Sequence, residues 1–248
     1  MVEASFLAQR ALMRIDGFPT LLKAHGFKDE SNILEVGCGQ GIRSKIISHT
    51  FPKSQVTGID RSPELLSFAL KNKTDRLDFL DGDLYDLPFP DECFDFIYAR
   101  LVFMHLSDPL KALRSLLRVL KKGGRILIED ADRDCMFFEP APASFKGFWE
   151  KVQEGQRRLG GDPNVGRKIA SLMKSVGMEN INADTLPITG TGEDIDFLVR
   201  TLLPSLNLYL APEDRVAGLM AMDDLKALAT TPEASFYHFW FRVSGQKS

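Results

Sequence analysis

Short apolar runs punctuate this chain, and the longer stretches between them repeat apolar residues at helical spacing. A brief apolar run closed by glycine, proline or an acid fits a buried strand, whereas recurrence at i, i+3 and i+4 marks an amphipathic helix. On that pattern strands are predicted at 33–36, 55–60, 77–80, 94–99, 125–130, 179–188 and 236–243. Helices are predicted at 42–49, from Ser62-Pro63-Glu64 onward, and at 109–120, 144–159, 163–176, 193–209 and 212–229. Ser62, Asp108 and Asp162 each precede a proline, the order expected of an N-cap followed by the first helical residue. Lys121-Lys122-Gly123-Gly124 reads as a cationic, glycine-capped end to the helix at 109–120. Residues 1–27 read as helical, broken at Gly17 to Pro19, and the Phe- and Pro-rich stretch 131–147 reads as a loop.

Strands that alternate with helices imply an α/β fold with a parallel sheet, right-handed crossovers and helices on both faces. Its ligand belongs beyond the C-terminal strand ends, where strand order reverses. The chain is then a single domain, 1–248, with substrate-side helices expected over 131–178 and 190–232, the latter an insertion before the last strand.

The chemistry centres on Ile33-Leu34-Glu35-Val36-Gly37-Cys38-Gly39-Gln40-Gly41, a strand breaking into a glycine turn ahead of a helix. Such a turn lets a ligand approach where a Cβ would intrude, and helix-start N–H groups face an anion or carboxylate. A dinucleotide site would place a small residue at position 42, which is Ile42. Asp60 ends the second strand about twenty residues on, where an α/β nucleotide site holds the acid that accepts ribose hydroxyls. Asp83-Leu84 follows the third strand.

The E-x-G-x-G-x-G spacing, Asp60, Asp83-Leu84 and the run from "FDFIYARLVFMHLSDP" to "LRVLKKGGRILIED" together resemble the class I S-adenosylmethionine (SAM)-dependent methyltransferases. Over about residues 30–130 they are similar to the small-molecule enzymes around the ubiquinone/menaquinone-biosynthesis C-methyltransferases. The resemblance implies a Rossmann-like seven-stranded sheet whose last strand runs antiparallel between strands five and six. It implies SAM as cofactor, held at the turn by Glu35, Gly37, Cys38, Gly39 and Gly41. Asp60 and Arg61 would serve the ribose side, Asp83 and Leu84 the adenine, and Arg100 the strand-four end. An N-terminal segment would lie over the cofactor, with Arg10 and Arg14 within reach of its carboxylate or on an exposed face.

Methyl transfer from a sulfonium needs positioning and dryness rather than a covalent nucleophile, and a base only where the acceptor holds its proton tightly. His105, just past strand four, is the candidate base or orienting group, beside Glu129, Asp130 and Asp132; a packed helix-edge histidine is the other reading. Asp130, Asp132 and Asp134 alternate as magnesium ligands would, but alternation after a strand fits a solvated loop, and no metal is expected.

The 248 residues, 44% hydrophobic, suffice for one full core. A formal net charge of -3 and the absence of N-P-P-Y or D-P-P-Y after strand four argue against a nucleic-acid partner. Cys38, Cys93 and Cys135 form no C-x-x-C pair, and neither a signal-like start nor a bilayer-length apolar run is seen, so a reduced, cytoplasmic setting is expected. The insertion carries more leucine than one buried face uses, as a lid over a small apolar or amphipathic acceptor or an interface between two copies would. A non-catalytic SAM- or nucleoside-binding module and an NAD(P)-dependent oxidoreductase are the competing functions.

Overall fold

The computed structural model describes residue 9 and residues 17–248, so the predicted helical stretch before Gly17, with Arg10 and Arg14, lies outside the described residues. The apolar runs become strands β1 (Asn32–Val36), β2 (Gln55–Asp60), β3 (Leu77–Asp81) and β4 (Phe94–Arg100). They are joined by β5 (Leu120–Glu139), β6 (Glu179–Thr191) and β7 (Ser235–Gln246). One sheet holds all seven in the order β3-β2-β1-β4-β5-β7-β6. The first five pair in parallel, while β7 runs antiparallel to both β5 and β6, as the resemblance implied.

Side-chain alternation along the strands divides the core in two. Ile33, Phe96, Tyr98 and Leu127 face α1 (Phe18–Ala24), α2 (Ile42–Thr50) and α3 (Pro63–Ala69). Leu34, Ile97, Ala99 and Ile128 face α4 (Pro109–Val119), α5 (Ala143–Arg158) and α6 (Ile169–Ser175). The insertion, α7 (Glu193–Thr201), α8 (Leu203–Leu206) and α9 (Arg215–Leu228), joins this second layer through Ile195, Leu198, Ala221 and Leu225. The caps on α3 and α4 form as predicted: Ser62 Oγ accepts Leu65 N–H at 3.3 Å and Asp108 Oδ1 accepts Lys111 N–H at 2.9 Å.

Five readings are corrected. Residues 131–139 are strand, because β5 bulges between Ala131 and Met136 and then pairs Met136–Glu139 with the start of β7. The acids there are not solvated: Asp130 and Asp132 are buried, the first accepting backbone N–H groups and the second paired with Arg167. Lys121 to Gly124 do not cap α4, which gives way to strand at Leu120; the ammonium of Lys247 instead donates to the Leu117 and Leu120 carbonyls at 2.8 and 2.7 Å. Asp162 caps no helix, since its carboxylate takes Asn164 N–H and Lys168, and α6 begins only at Ile169 after a 3₁₀ turn. The helix predicted over 193–209 breaks at Leu202 into α7 and α8.

Candidate cofactor site

The order of strands reverses between β1 and β4, and the crevice opens at their C-terminal ends, where open α/β sheets bind ligands. The turn after β1 carries positive φ at Gly37 (65°), Gly39 (55°) and Gly41 (72°). A Cβ on Gly37 would meet Val102 Cγ2 at 2.4 Å, so the turn packs directly on the segment after β4. Gly41 serves differently: a Cβ there would strike the Phe79 ring at 2.4 Å, and the residue stands behind the crevice rather than on its wall.

Asp60 is fixed from two sides. Its Oδ2 accepts Gly39 N–H at 2.8 Å and its Oδ1 accepts Ser62 N–H at 3.0 Å, which ties the glycine turn to the end of β2. Two hollows meet at Gly37, Asp60, Leu101 and His105. One, about 210 Å³, is lined by Arg61, Asp83, Leu84 and Tyr85; the other, about 200 Å³, by Glu35, Cys38, Gly39, Arg43 and Arg100. Of the cofactor positions singled out around the turn and strand ends, all but Gly41 line this crevice, as does His105, whereas Glu129 lines a neighbouring cavity and Asp130 and Asp132 are buried away from it.

Glu35 lies behind the turn with Ser44 Oγ donating to it, and burial raises its carboxyl to about 7. Burial likewise pushes the Cys38 thiol up, which makes it a filler rather than a nucleophile. Asp130 is raised to about 7 by burial while it accepts Met104 N–H at 3.2 Å, holding the 3₁₀ turn Phe103–His105 against β5. Leu101, at φ 56°, enters that turn in the left-handed region, a strained conformation for a branched residue and one found at ligand sites. His105 is exposed at the mouth of both hollows, and its Nδ1 lies 3.2 Å from the Tyr209 hydroxyl.

A larger cavity, about 570 Å³, adjoins the crevice across Arg43 and Arg100, which line both. Phe18 and Leu21 of α1 roof it, and Leu186, Ile188 and Trp240 supply an apolar floor. Arg100 stacks on Trp240 with its guanidinium carbon 4.8 Å from the ring centre. Glu129, which accepts Tyr98 Oη–H at 2.6 Å and Arg242 Nε–H at 3.1 Å, forms its polar end. Sequence reasoning passed over Arg43, two residues past the glycine turn, and Trp240 and Tyr209, whose elements only the fold brings beside the crevice. Among the described residues no group of three His, Cys, Asp or Glu side chains could hold a metal, and no helix is long and apolar enough to cross a membrane.

A family model described as a methyltransferase domain matches residues 34–128. An uncharacterised methyltransferase of Anoxybacillus flavithermus is 32% identical over 147 residues, covering 57% of this chain and 68% of that protein. Demethylmenaquinone methyltransferase of Thermotoga maritima is 35% identical over 96 residues, 39% of this chain and 42% of that one. Of the leading curated relatives this chain spans about half the length. Among solved structures, Haemonchus contortus phosphoethanolamine N-methyltransferase 2 bound to phosphomonomethylethanolamine and S-adenosylhomocysteine superposes with a TM-score of 0.63 at 22% identity. That likeness covers 94% of this chain and 52% of the other, and it concerns the fold.

Proposed function

This chain belongs to the class I SAM-dependent methyltransferases, and from that premise we propose that it moves a methyl group from SAM to a small apolar or amphipathic acceptor by direct displacement. One observation carries the reading: the glycine turn and Asp60 are bonded into a single wall of a crevice at the point where strand order reverses. The donor set fits SAM. Each Asp60 oxygen already takes one backbone N–H and retains acceptor capacity for a ribose hydroxyl. Asp83 and Leu84 line the hollow suited to adenine, and the space over Gly39, where a Cβ would meet nothing nearer than Leu65 Cδ1 at 4.0 Å, suits the methionine half.

When bound, SAM supplies an electrophilic methyl group whose departure neutralises the sulfonium. The chain's own contribution is to hold donor and acceptor in line and to exclude water. The 570 Å³ cavity, entered beside Arg100 and floored by Leu186, Ile188 and Trp240, is the acceptor space this reading favours. His105, which lines the crevice and not that cavity, takes a proton from the acceptor or orients it where the acceptor reaches from the cavity to the crevice mouth, at which the Tyr209 turn also arrives. Three free thiols agree with a reducing, cytoplasmic setting. The exposure of Leu208, Val216, Leu219 and Met220 on the insertion supports a second copy of the chain as partner; a monomer mass in light scattering would remove that part.

The test of function is incubation with methyl-labelled SAM and small-molecule extracts, followed by identification of the labelled product. A labelled small molecule that disappears with the Asp60→Ala variant is expected. SAM binding without transfer to any fraction would favour a non-catalytic binding module.

A further inference from the structure

The insertion reaches the crevice mouth at Tyr209. Tyr209 follows α8 in a turn, its N–H donating to Leu206 O at 3.0 Å, and that turn presses on α5. A Cβ on Gly155 would stand 1.7 Å from the Tyr209 carbonyl oxygen, and Arg158 donates to the same oxygen at 3.1 Å. The Arg133 guanidinium lies 5.5 Å from the Tyr209 ring centre and 5.2 Å from that of Trp149. Arg133 Nε also donates to Gln156 Oε1 at 2.7 Å, and Gln156 Nε2 donates to Met104 O at 2.7 Å, one residue before the histidine. Both ring partners are thus anchored to α5, and the Tyr209 hydroxyl ends 3.2 Å from His105 Nδ1.

Resting on the reading of His105 as the residue that faces the acceptor, we infer that Tyr209 is its positioning residue: the phenol oxygen accepts Nδ1–H and so keeps the imidazole lone pair on Nε2. A hydroxyl can donate or accept, so two proton arrangements fit the distance. If the phenol donated to Nδ1, the proton would sit on Nε2, and the bond would break as soon as the ring became imidazolium, in which both nitrogens donate. If Nδ1–H donates to the phenol, the bond persists through proton uptake and strengthens as the ring gains charge. Only this second arrangement leaves Nε2 able to act. The acceptor's proton then passes to Nε2, its freed electron pair forms the bond to the methyl carbon, and the C–S pair returns to sulfur. The products are methylated acceptor, neutral thioether and imidazolium. Which ring nitrogen carries the proton is set by the bond the other one makes.

The test needs no acceptor. Long-range ¹H–¹⁵N spectra of the full ¹⁵N-labelled chain separate the two neutral imidazole tautomers, with the His105 signals assigned by their loss in His105→Gln. The parent is expected to hold His105 in the Nδ1–H form, and Tyr209→Phe, which keeps the ring, to move it to the Nε2–H form. The melting temperature and S-adenosylhomocysteine affinity of Tyr209→Phe should stay near the parent's, within about twofold in affinity. A parent already in the Nε2–H form overturns the assignment, and so does a Phe variant with an unchanged spectrum. Failure of the parent to bind S-adenosylhomocysteine would overturn the methyltransferase reading instead, a separate result from the same samples.

Discussion

Asp60 is held in place before any ligand arrives, because Gly39 and Ser62 each donate a backbone N–H to one of its oxygens. Its removal should therefore loosen the glycine turn as well as delete an acceptor for ribose. Asp60→Ala is expected to bind S-adenosylhomocysteine at least about tenfold more weakly, the loss of one or two charge-assisted bonds. Parent-like affinity in calorimetry would contradict the placement. Glu35 makes a different demand. Burial raises its carboxyl from the ordinary 4.5 to about 7, so the neutral form's contribution to stability is full below about pH 4.5 and is lost as pH climbs through about 7. Glu35→Gln cannot ionise, yet it keeps a carbonyl for Ser44. Its melting temperature should gain on the parent's steadily from about pH 5 to pH 8; a constant difference would mean that Glu35 titrates normally. At this scale the crevice positions of Asp60, Asp83, Gly37 and Gly39 were legible because each sits at a fixed offset from a strand end. Tyr209 was not, since no local spacing marks a residue that only tertiary packing delivers.

Elements were legible where propensity and packing agree. The caps at Ser62 and Asp108, and the amphipathic α4, needed nothing beyond local sequence. β5 was cut short because Asp130, Asp132 and Asp134 mimic a solvated loop, and Arg167, brought in by the turn before α6, together with the Asp134 N–H makes Asp132 acceptable in the interior. The end of α4 was misread for a related reason: its capping cation is Lys247, near the other end of the chain. Lys247→Ala should cost about 1–2 kcal/mol in urea denaturation, a charged donor shared by two carbonyls and partly exposed. No loss would show that solvent serves those carbonyls equally well. Gly155 tests the docking of the insertion. Gly155→Ala must push the backbone of Tyr209 away, at a cost of about 1–3 kcal/mol. Hydrogen exchange should then quicken across α8 and the turn after it, with β1 to β4 unaffected; uniform quickening would make the insertion an inseparable part of the core.

For the whole molecule, the resemblance seen over about residues 30–130 coincides with the family match at 34–128, and both stop where β5 enters its bulge. Up to that point the chain builds the cofactor crevice, whose motifs follow strand ends. Beyond it lie β6 and β7, which with α1 line the larger cavity, and the insertion, whose Tyr209 reaches His105. That half was only partly legible because acceptor pockets depend on shape, and shape leaves no fixed spacing in a sequence. The central claim concerns the crevice, and one calorimetric comparison tests it most directly. The parent chain, titrated in parallel with S-adenosylhomocysteine and with NADH, should bind the first at a single site and show no heat with the second. Binding of NADH without S-adenosylhomocysteine would contradict the account.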